Sequence, residues 1–508
     1  MVRSPPIEKV PVVSVCNVVI PLKIRRPYDW FLIVPATATI VGAGPNGLSA
    51  AIVLANAGFA VEVREAASVA GGAARSAELT LPGFLHDLGS AVHPMAVTSP
   101  FFSTLPLEEA GLRWIWPSAE LAHPLDDGTA VLLERDIGAT ACQLGTDASA
   151  YRRLYAPLLA SWDGLRHDLL KAVGWPQHPI AMARFGLLGL RSARSLADGH
   201  FKGIRARALF AGLAAHSFLP LESPVSAAFG LVLGVTGHAV GWPIPQRGAQ
   251  SIADALIVCL QKAGGTVTTN TPVRSLQGLG DLALLDVTPR QLLTLGGEEI
   301  PASFRRQLQR YRYGPGVFKV DWALSQPIPW RAKECLRAGT VHLGGTFDEI
   351  AASERAPGSG AMSDRPFVLL SQPTLFDPSR APLGKHVAWA YCHVPNAWSG
   401  SALQVIENQV ERFAPGFRDC ILGRAAFNTE AMHAWNENLV GGDINGGSFA
   451  GLQFFLRPTW RQYGTPLSGV YLCSSSTPPG GGVHGMCGYW AARRALRGTL
   501  RRYKAPRA

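Results

Sequence analysis

Two short stretches at opposite ends of this 508-residue chain read as halves of one nucleotide site. Near the N-terminus stands Thr39-Ile40-Val41-Gly42-Ala43-Gly44-Pro45-Asn46-Gly47, then Val61-Glu62-Val63-Arg64-Glu65, then Gly71-Gly72. Near the C-terminus stands Gly469-Val470-Tyr471-Leu472-Cys473, then Gly480-Gly481-Gly482-Val483-His484-Gly485. A chain built this way has to leave its nucleotide domain and return to finish it. That restricts the fold to interleaved domains.

The first half has a physical reading residue by residue. Residues 38–42 are β-branched, apolar and uncharged, as in a short buried strand. Asn46 to Gly58 reads as the following helix, with Leu48, Ile52 and Ala55 at helical spacing and Gly58 where a helix C-terminus wants it. Between them, Gly42 makes a tight turn, Gly44 lets backbone approach a pyrophosphate, and Gly47 lets helix and strand pack closely. The helix N-terminus then offers unpaired N–H groups and positive dipole to phosphate. Residues 60–64 alternate as a second strand ending at Glu65, 18 residues beyond Gly47. A carboxylate there accepts ribose hydroxyls. In a chain with 54 glycines a lone GxGxxG says little. The strand before it, the helix after it and the acid at this distance carry the signal.

The double glycine Gly71-Gly72, followed by Arg75, separates FAD from NAD. Backbone without side chains can run beside a second phosphate and a ribityl chain, and Arg75 can neutralise phosphate or reach the flavin. This arrangement resembles the phytoene desaturase-like branch of the FAD-dependent oxidoreductases, which includes carotenoid desaturases, carotenoid isomerases and the pyridine nucleotide-disulfide oxidoreductase domain-containing protein 2. The resemblance runs from about residue 38 to about 498. It is strongest at 40–76, at Leu81 to Pro94, at Gly264-Gly265-Thr266-Val267 with Pro272-Val273, and at 441–488. It implies FAD held by Gly42, Gly44, Pro45, Asn46, Gly47, Glu65, Gly71, Gly72, Arg75, Val273, Gly482, Val483 and His484. Residues 480–488 would open the last helix toward the electron-rich edge of the isoalloxazine. Two departures stand out: the run Ser474-Ser475-Ser476-Thr477, and the bulky Met486 and Cys487. Cys487 reads as a buried structural residue rather than a covalent link to flavin.

The implied fold class is α/β: a Rossmann-like FAD-binding domain of the glutathione reductase type, in a p-hydroxybenzoate hydroxylase-like arrangement, interleaved with an α+β substrate domain. The expected division is a leader at 1–36, FAD-binding segments at 37–110, 241–300 and 436–500, substrate-domain segments at 111–240 and 301–435, and a basic tail at 501–508. Residues 149–173 read as one amphipathic helix and Ser251–Ala263 as another. Strands are expected at 266–270, 284–289, 317–323, 367–371 and 387–392, and a mobile loop at 352–365.

Hydrophobic residues make up 47% of the chain and charged ones 16%, with a mean hydropathy of +0.12. That suits a large core and an apolar substrate tunnel and excludes disorder. Net charge is +11. One basic cluster is Arg493, Arg494, Arg497, Arg501, Arg502, Lys504 and Arg507. Another is Arg184, Arg191, Arg194, Lys202, Arg205 and Arg207, interleaved with Phe185, Leu187, Leu188, Leu190 and Phe201. The second reads as substrate-domain helix, with a membrane-surface helix as the alternative. No zinc spacing or RNP-like pattern points to nucleic acid. Eight cysteines form no CxxC pair, which argues against a zinc site or a thioredoxin-like redox pair and suits a reducing, cytoplasmic compartment. No run approaches a membrane span, so any membrane contact is expected to be peripheral.

His484 is the one candidate for a catalytic role, with a structural role as the alternative. His86 and Asp87 are expected to position their loop, and Asp126-Asp127 to form a turn. There is no GxSxG elbow, no HExxH pair and no second dinucleotide fingerprint. No metal is expected. The leading reading is a flavin oxidoreductase of the desaturase or dehydrogenase type, moving hydride from an apolar small molecule to flavin N5 and on to an acceptor the sequence does not name. The alternatives are a flavin-dependent isomerase of an apolar polyene and a non-catalytic flavin- or lipid-binding protein. An amine oxidase is a further alternative, although no aromatic cage can be picked out of the sequence.

Overall fold

The computed structural model describes residues 36–504, with side chains to 499. The expected leader lies outside the described residues apart from Ala36, as does the end of the basic tail. In chain order the strands are β1 (Thr37–Val41), β2 (Ala60–Arg64), β3 (Ser76–Glu78), β4 (Leu85–Asp87), β5 (Trp114–Ile115), β6 (Ala119–Pro124), β7 (Ala130–Leu133) and β8 (Ile244–Pro245). They continue with β9 (Thr266–Thr268), β10 (Leu282–Leu285), β11 (Gly316–Leu324), β12 (Ala338–Leu343), β13 (Val368–Ser371), β14 (His386–Val394), β15 (Ile421–Phe427) and β16 (Val470–Leu472).

Five of them form a parallel sheet in the order β16-β10-β1-β2-β9. Its strands come from three distant parts of the chain, so the nucleotide layer closes only after β16 has been made. β1 is central, and its Ile40 is fully buried. The helix Pro45–Asn56 follows and ends at Gly58, whose φ of +89° a side chain would strain. The last helix, Met486–Lys504, lies directly against this one. Gly488 permits that approach, since a Cβ there would fall 1.8 Å from the Asn46 carbonyl oxygen. The two ends of the chain are thereby locked together beside the glycine loop.

The second layer is a seven-stranded sheet, β15-β11-β14-β13-β12-β6-β7, antiparallel except where β12 pairs with β6. Alternation along its strands sends side chains to two different environments. Phe318, Val320, Trp322, Val341, Leu343, Val368, Leu370, Ala388 and Ala390 pack into one core with Ile406, Val410 and Phe413 of the helix Leu403–Phe413. The intervening residues face the other way. They include Val317, Lys319, Thr340, His342, Leu369, Trp389, Tyr391 and His393, a far more polar set.

Several local expectations are corrected. The single helix at 149–173 is two helices, Ala148–Ala160 and Trp162–Leu169. Pro157 removes one backbone donor, and the Ser161 hydroxyl donates back to the Pro157 carbonyl at 2.8 Å, competing with continuation of the helix. The strand expected at 284–289 stops at Leu285, because Thr288 and Gln291 form a capping box that starts the helix Pro289–Gly296. The loop expected at 352–365 is helical through Arg355, again behind a capping box, here Thr346 with Glu349. The basic-apolar stretch at 184–207 runs over three helices, Pro179–Gly189, Ala193–His200 and Ile204–Ala215. Phe185 and Phe201 are buried, while Arg194 and Arg207 are engaged by Glu222, Asp348 and Asp198. Among the described residues no helix is long and apolar enough to cross a membrane. Asp126 and Asp127 stand at the turn between β6 and β7, as expected, and Asp127 caps Thr129 at 2.9 Å.

Candidate functional site

A cavity of about 780 Å³ runs from the glycine loop to the polar face of the seven-stranded sheet. Gly42, Gly44, Pro45, Asn46, Glu65, Gly72, Arg75, Val273, Gly482 and Val483 line it, joined by Ser474, Ser475 and Ser476. Residues from both ends of the sequence thus share one wall. Gly47 and Gly71 lie just behind it. A Cβ on Gly47 would stand 2.0 Å from the Gly42 carbonyl oxygen, so its part is to let the turn close.

The donors and acceptors at this end fit a dinucleotide. Glu65 accepts from the Ala43 N–H at 2.7 Å and the Ala67 N–H at 2.9 Å, which fixes its carboxylate at the end of β2. A carboxylate has about four lone-pair sites, so two remain for hydroxyls. Arg75 is half-buried, donates to the Gly72 carbonyl at 3.1 Å and stacks on Trp435 with 5.0 Å between its guanidinium carbon and the ring centre. Burial lowers its pKa, and the Glu65 charge works against that shift. The side-chain oxygen of Asn46 is buried with no protein partner, and its amide nitrogen donates to the Ser475 hydroxyl at 3.4 Å, tying the two ends of the chain together at the cavity wall.

His484 sits differently from expectation. It is buried, and its Nδ1 accepts the Met486 N–H at 3.0 Å. Its ring lies against the Gly480 and Gly481 carbonyls, and burial pushes its pKa down to about 4. It does not line the cavity. It opens the last helix by accepting from the N–H of Met486 in its first turn, a donor with no partner within the helix.

Asp286, at the end of β10, was not foreseen as a site residue. It lines the cavity and accepts the Gly47 N–H at 3.0 Å, occupying one donor of the helix N-terminus. Burial pushes its carboxyl up to about 7, the Glu65 charge adds to the rise, and the Gly47 hydrogen bond opposes it. A lone acid directly after a buried strand was the signal that could have found it.

The far end of the cavity was also missed. Trp389 and Tyr391 stack at 5.6 Å and 18°, and Phe218, Leu233, Trp242, Leu369 and Met432 complete an apolar-aromatic chamber. Lys319 reaches it from β11 and is paired with buried Asp321. His216 lines the wall, 3.0 Å from His342, and burial keeps it uncharged with a pKa pushed down to about 3. No residue that the sheet contributes to this lining is acidic. Among the described residues no cluster of His, Cys, Asp or Glu is arranged to hold a metal ion.

His86 and Asp87 do hold their loop. Arg380 is fully buried, pairs with Asp87, and donates to Asp377 at 3.1 Å and to the Pro245 carbonyl at 2.8 Å. Burial alone would raise the pKa of Asp87, but Arg380 and the Ala249 N–H hold it below the ordinary range. This knot joins β4 to the start of the helix Gln250–Lys262 and to the loop after β13.

Residues 40–103 match the family model described as NAD(P)-binding Rossmann-like domain. Pyridine nucleotide-disulfide oxidoreductase domain-containing protein 2 of Rattus norvegicus is 25% identical, over 91% of this chain and 93% of its own length. Phytoene dehydrogenase of Streptomyces griseus is 26% identical, over 75% of this chain and 77% of its own. A solved putrescine oxidase, bound to putrescine, is similar at a TM-score of 0.59 and 17% identity, covering 92% of this chain and 99% of that one, which speaks for the fold. The fold is thus α/β with a Rossmann-like domain at residues 40–103, and over most of its length the chain is similar to pyridine nucleotide-disulfide oxidoreductase domain-containing protein 2 and to phytoene dehydrogenase.

Proposed function

We propose that this chain binds FAD along the cavity and oxidises an apolar substrate at a C–H bond held before the Trp389–Tyr391 wall. The observation that carries this reading is one continuous cavity, with both halves of the nucleotide site at one end and an aromatic chamber at the other. Glu65 would hold the adenosine ribose. Gly42, Gly44 and the start of the helix Pro45–Asn56 would hold the pyrophosphate, and Arg75 and Gly482-Val483 would flank the flavin. When bound, FAD supplies the two-electron acceptor. The protein's own contribution is to orient the substrate and exclude water. Buried Lys319 places a positive charge at the chamber wall, paired with Asp321.

The putrescine oxidase likeness raises an amine as a second substrate class. The chamber argues against a protonated amine, because Lys319 is the charged residue that the sheet contributes to the lining and none of the lining residues from the sheet is acidic. A neutral substrate fits better.

Three results test the reading. The purified protein should be yellow and release FAD on denaturation. Substrate added without oxygen should bleach the flavin; product of unchanged mass would instead select an isomerase. A colourless protein that refuses added FAD would favour a flavin-free binding protein. Glu65→Ala should cut flavin content by more than half, since it leaves the buried Ala43 N–H unpaired at a cost of roughly 1–3 kcal/mol as well as losing the ribose acceptor.

Asp286 gives this binding a pH dependence. Its folded-state pKa lies above the ordinary 3.8, so the folded chain holds the proton more tightly than the unfolded chain. The stability this contributes is complete below about pH 4 and is lost as pH rises to about 7. A pyrophosphate beside Asp286 meets a neutral acid on the acid side of that range and a carboxylate on the other. FAD affinity should therefore fall about tenfold from pH 6.5 to pH 8.5. In Asp286→Asn, which can still accept the Gly47 N–H, it should stay flat. Flavin fluorescence titrations at the two pH values check both.

A further inference from the structure

The chamber is aromatic, but it is not a hydrocarbon surface. Thr340 and Trp389 both line it and are 1% and 5% exposed. The Thr340 hydroxyl and the Trp389 indole N–H have no protein partner. Register places them in one row across three adjacent strands, Thr340 opposite Ser371 and Ser371 opposite Trp389. Their backbones are therefore about 10 Å apart, two strand spacings. The Ser371 hydroxyl between them is also buried and unpaired. Ala91 packs on Leu369 and Trp389, and two residues further along that loop stands buried His93, which also lines the cavity. The Ser90 carbonyl lies near its ring, the paired charges of Asp87 and Arg380 act on it from further off, and neither ring nitrogen makes a well-formed hydrogen bond.

Each of these groups lost its water on burial and gains nothing from a pure hydrocarbon. A buried donor or acceptor left unmatched costs about 1–3 kcal/mol. The groups are also uncharged: burial keeps the His93 and His216 rings neutral, and Lys319 is committed to Asp321. A carboxylate or an ammonium would have no free counter-charge here. The complement of an indole N–H, a hydroxyl and neutral imidazoles on an aromatic wall is a neutral oxygen carried on an apolar frame.

We propose that the substrate is an apolar molecule bearing a hydroxyl or carbonyl oxygen, seated on Trp389 and Thr340, with His93 lining the same cavity. This rests on the cavity being the substrate site of the flavin oxidoreductase read above. The assignment separates the chain from a desaturase acting on a bare polyene. It makes Thr340 and Trp389 residues that determine specificity.

The test uses limonene, carveol and carvone, which share a carbon skeleton and differ by one oxygen, in equilibrium dialysis against the purified full chain. Carveol or carvone should bind about tenfold more tightly than limonene. Thr340→Val with Trp389→Phe should bring the three within about threefold, whereas Thr340→Ser, which keeps the hydroxyl, should retain the preference. Limonene binding as tightly as the oxygenated pair would overturn the proposal. So would a preference that survives the double variant, or failure of all three to bind saturably. The flavin content of each preparation is recorded separately. A protein that takes up no FAD but still prefers carvone loses the redox reading and keeps the ligand assignment.

Discussion

Gly47→Ala should leave the protein with less than one-tenth of the wild-type flavin. The added methyl would lie 2.0 Å from the Gly42 carbonyl oxygen and 3.1 Å from its carbon. Both neighbours are backbone, so no rotamer change relieves the contact, and the turn has to open. Forcing a methyl into a closed site costs typically 1–3 kcal/mol and more where backbone must move. The movement displaces the Gly47 N–H from Asp286 and the helix N-terminus from any phosphate in front of it. A loss of about 3 kcal/mol is about a hundredfold in affinity. The flavin-to-protein absorbance ratio reads this directly. Gly174→Ala is the control, because a methyl there meets nothing closer than 3.9 Å. Wild-type flavin in Gly47→Ala would remove this turn from the cofactor site.

The largest effect on stability is expected from Arg380→Met. The guanidinium is fully buried and compensates two buried carboxylates, Asp87 and Asp377. Methionine fills similar space and leaves both acids without their cation. Breaking a buried pair from one side costs about 3–5 kcal/mol. That should appear as a lower midpoint in urea unfolding with little change in slope. Adding Asp87→Asn should recover a substantial part of the loss, because the amide can stay near the Ala249 N–H and the Ser76 hydroxyl without carrying charge. If the double variant is no more stable than Arg380→Met alone, the cost lies in lost packing and not in the stranded charge.

The parts of this molecule legible in the sequence are those whose cause is local. The turn at Gly42–Gly47, the strands on either side of it and the acid at Glu65 follow from residue types within one βαβ stretch. Asp87 was assignable to positioning its loop, but its partner Arg380, 293 residues away, was not. The same holds for the chamber. Lys319, Leu369 and Tyr391 stand side by side only because β11, β14 and β13 pair in that register, and no short window contains that information. His484 misled for the opposite reason. Its glycine-rich surroundings suggest a place beside a cofactor, while its own ring turns inward to start a helix. Thr288 and Thr346 carry a local signal, since each stands three residues before a Gln or Glu, the signature of a helix start.

The alternation of the seven-stranded sheet separates two selective pressures residue by residue. Along β14, Ala388, Ala390 and Cys392 answer to close packing, and Trp389 and Tyr391 answer to whatever occupies the chamber. A substitution at the second kind of position changes what is recognised without opening a hole in the first. A library confined to positions 340, 369, 389 and 391 would vary the chamber wall and spare the core on the opposite face of the sheet, with Lys319 kept because buried Asp321 depends on it.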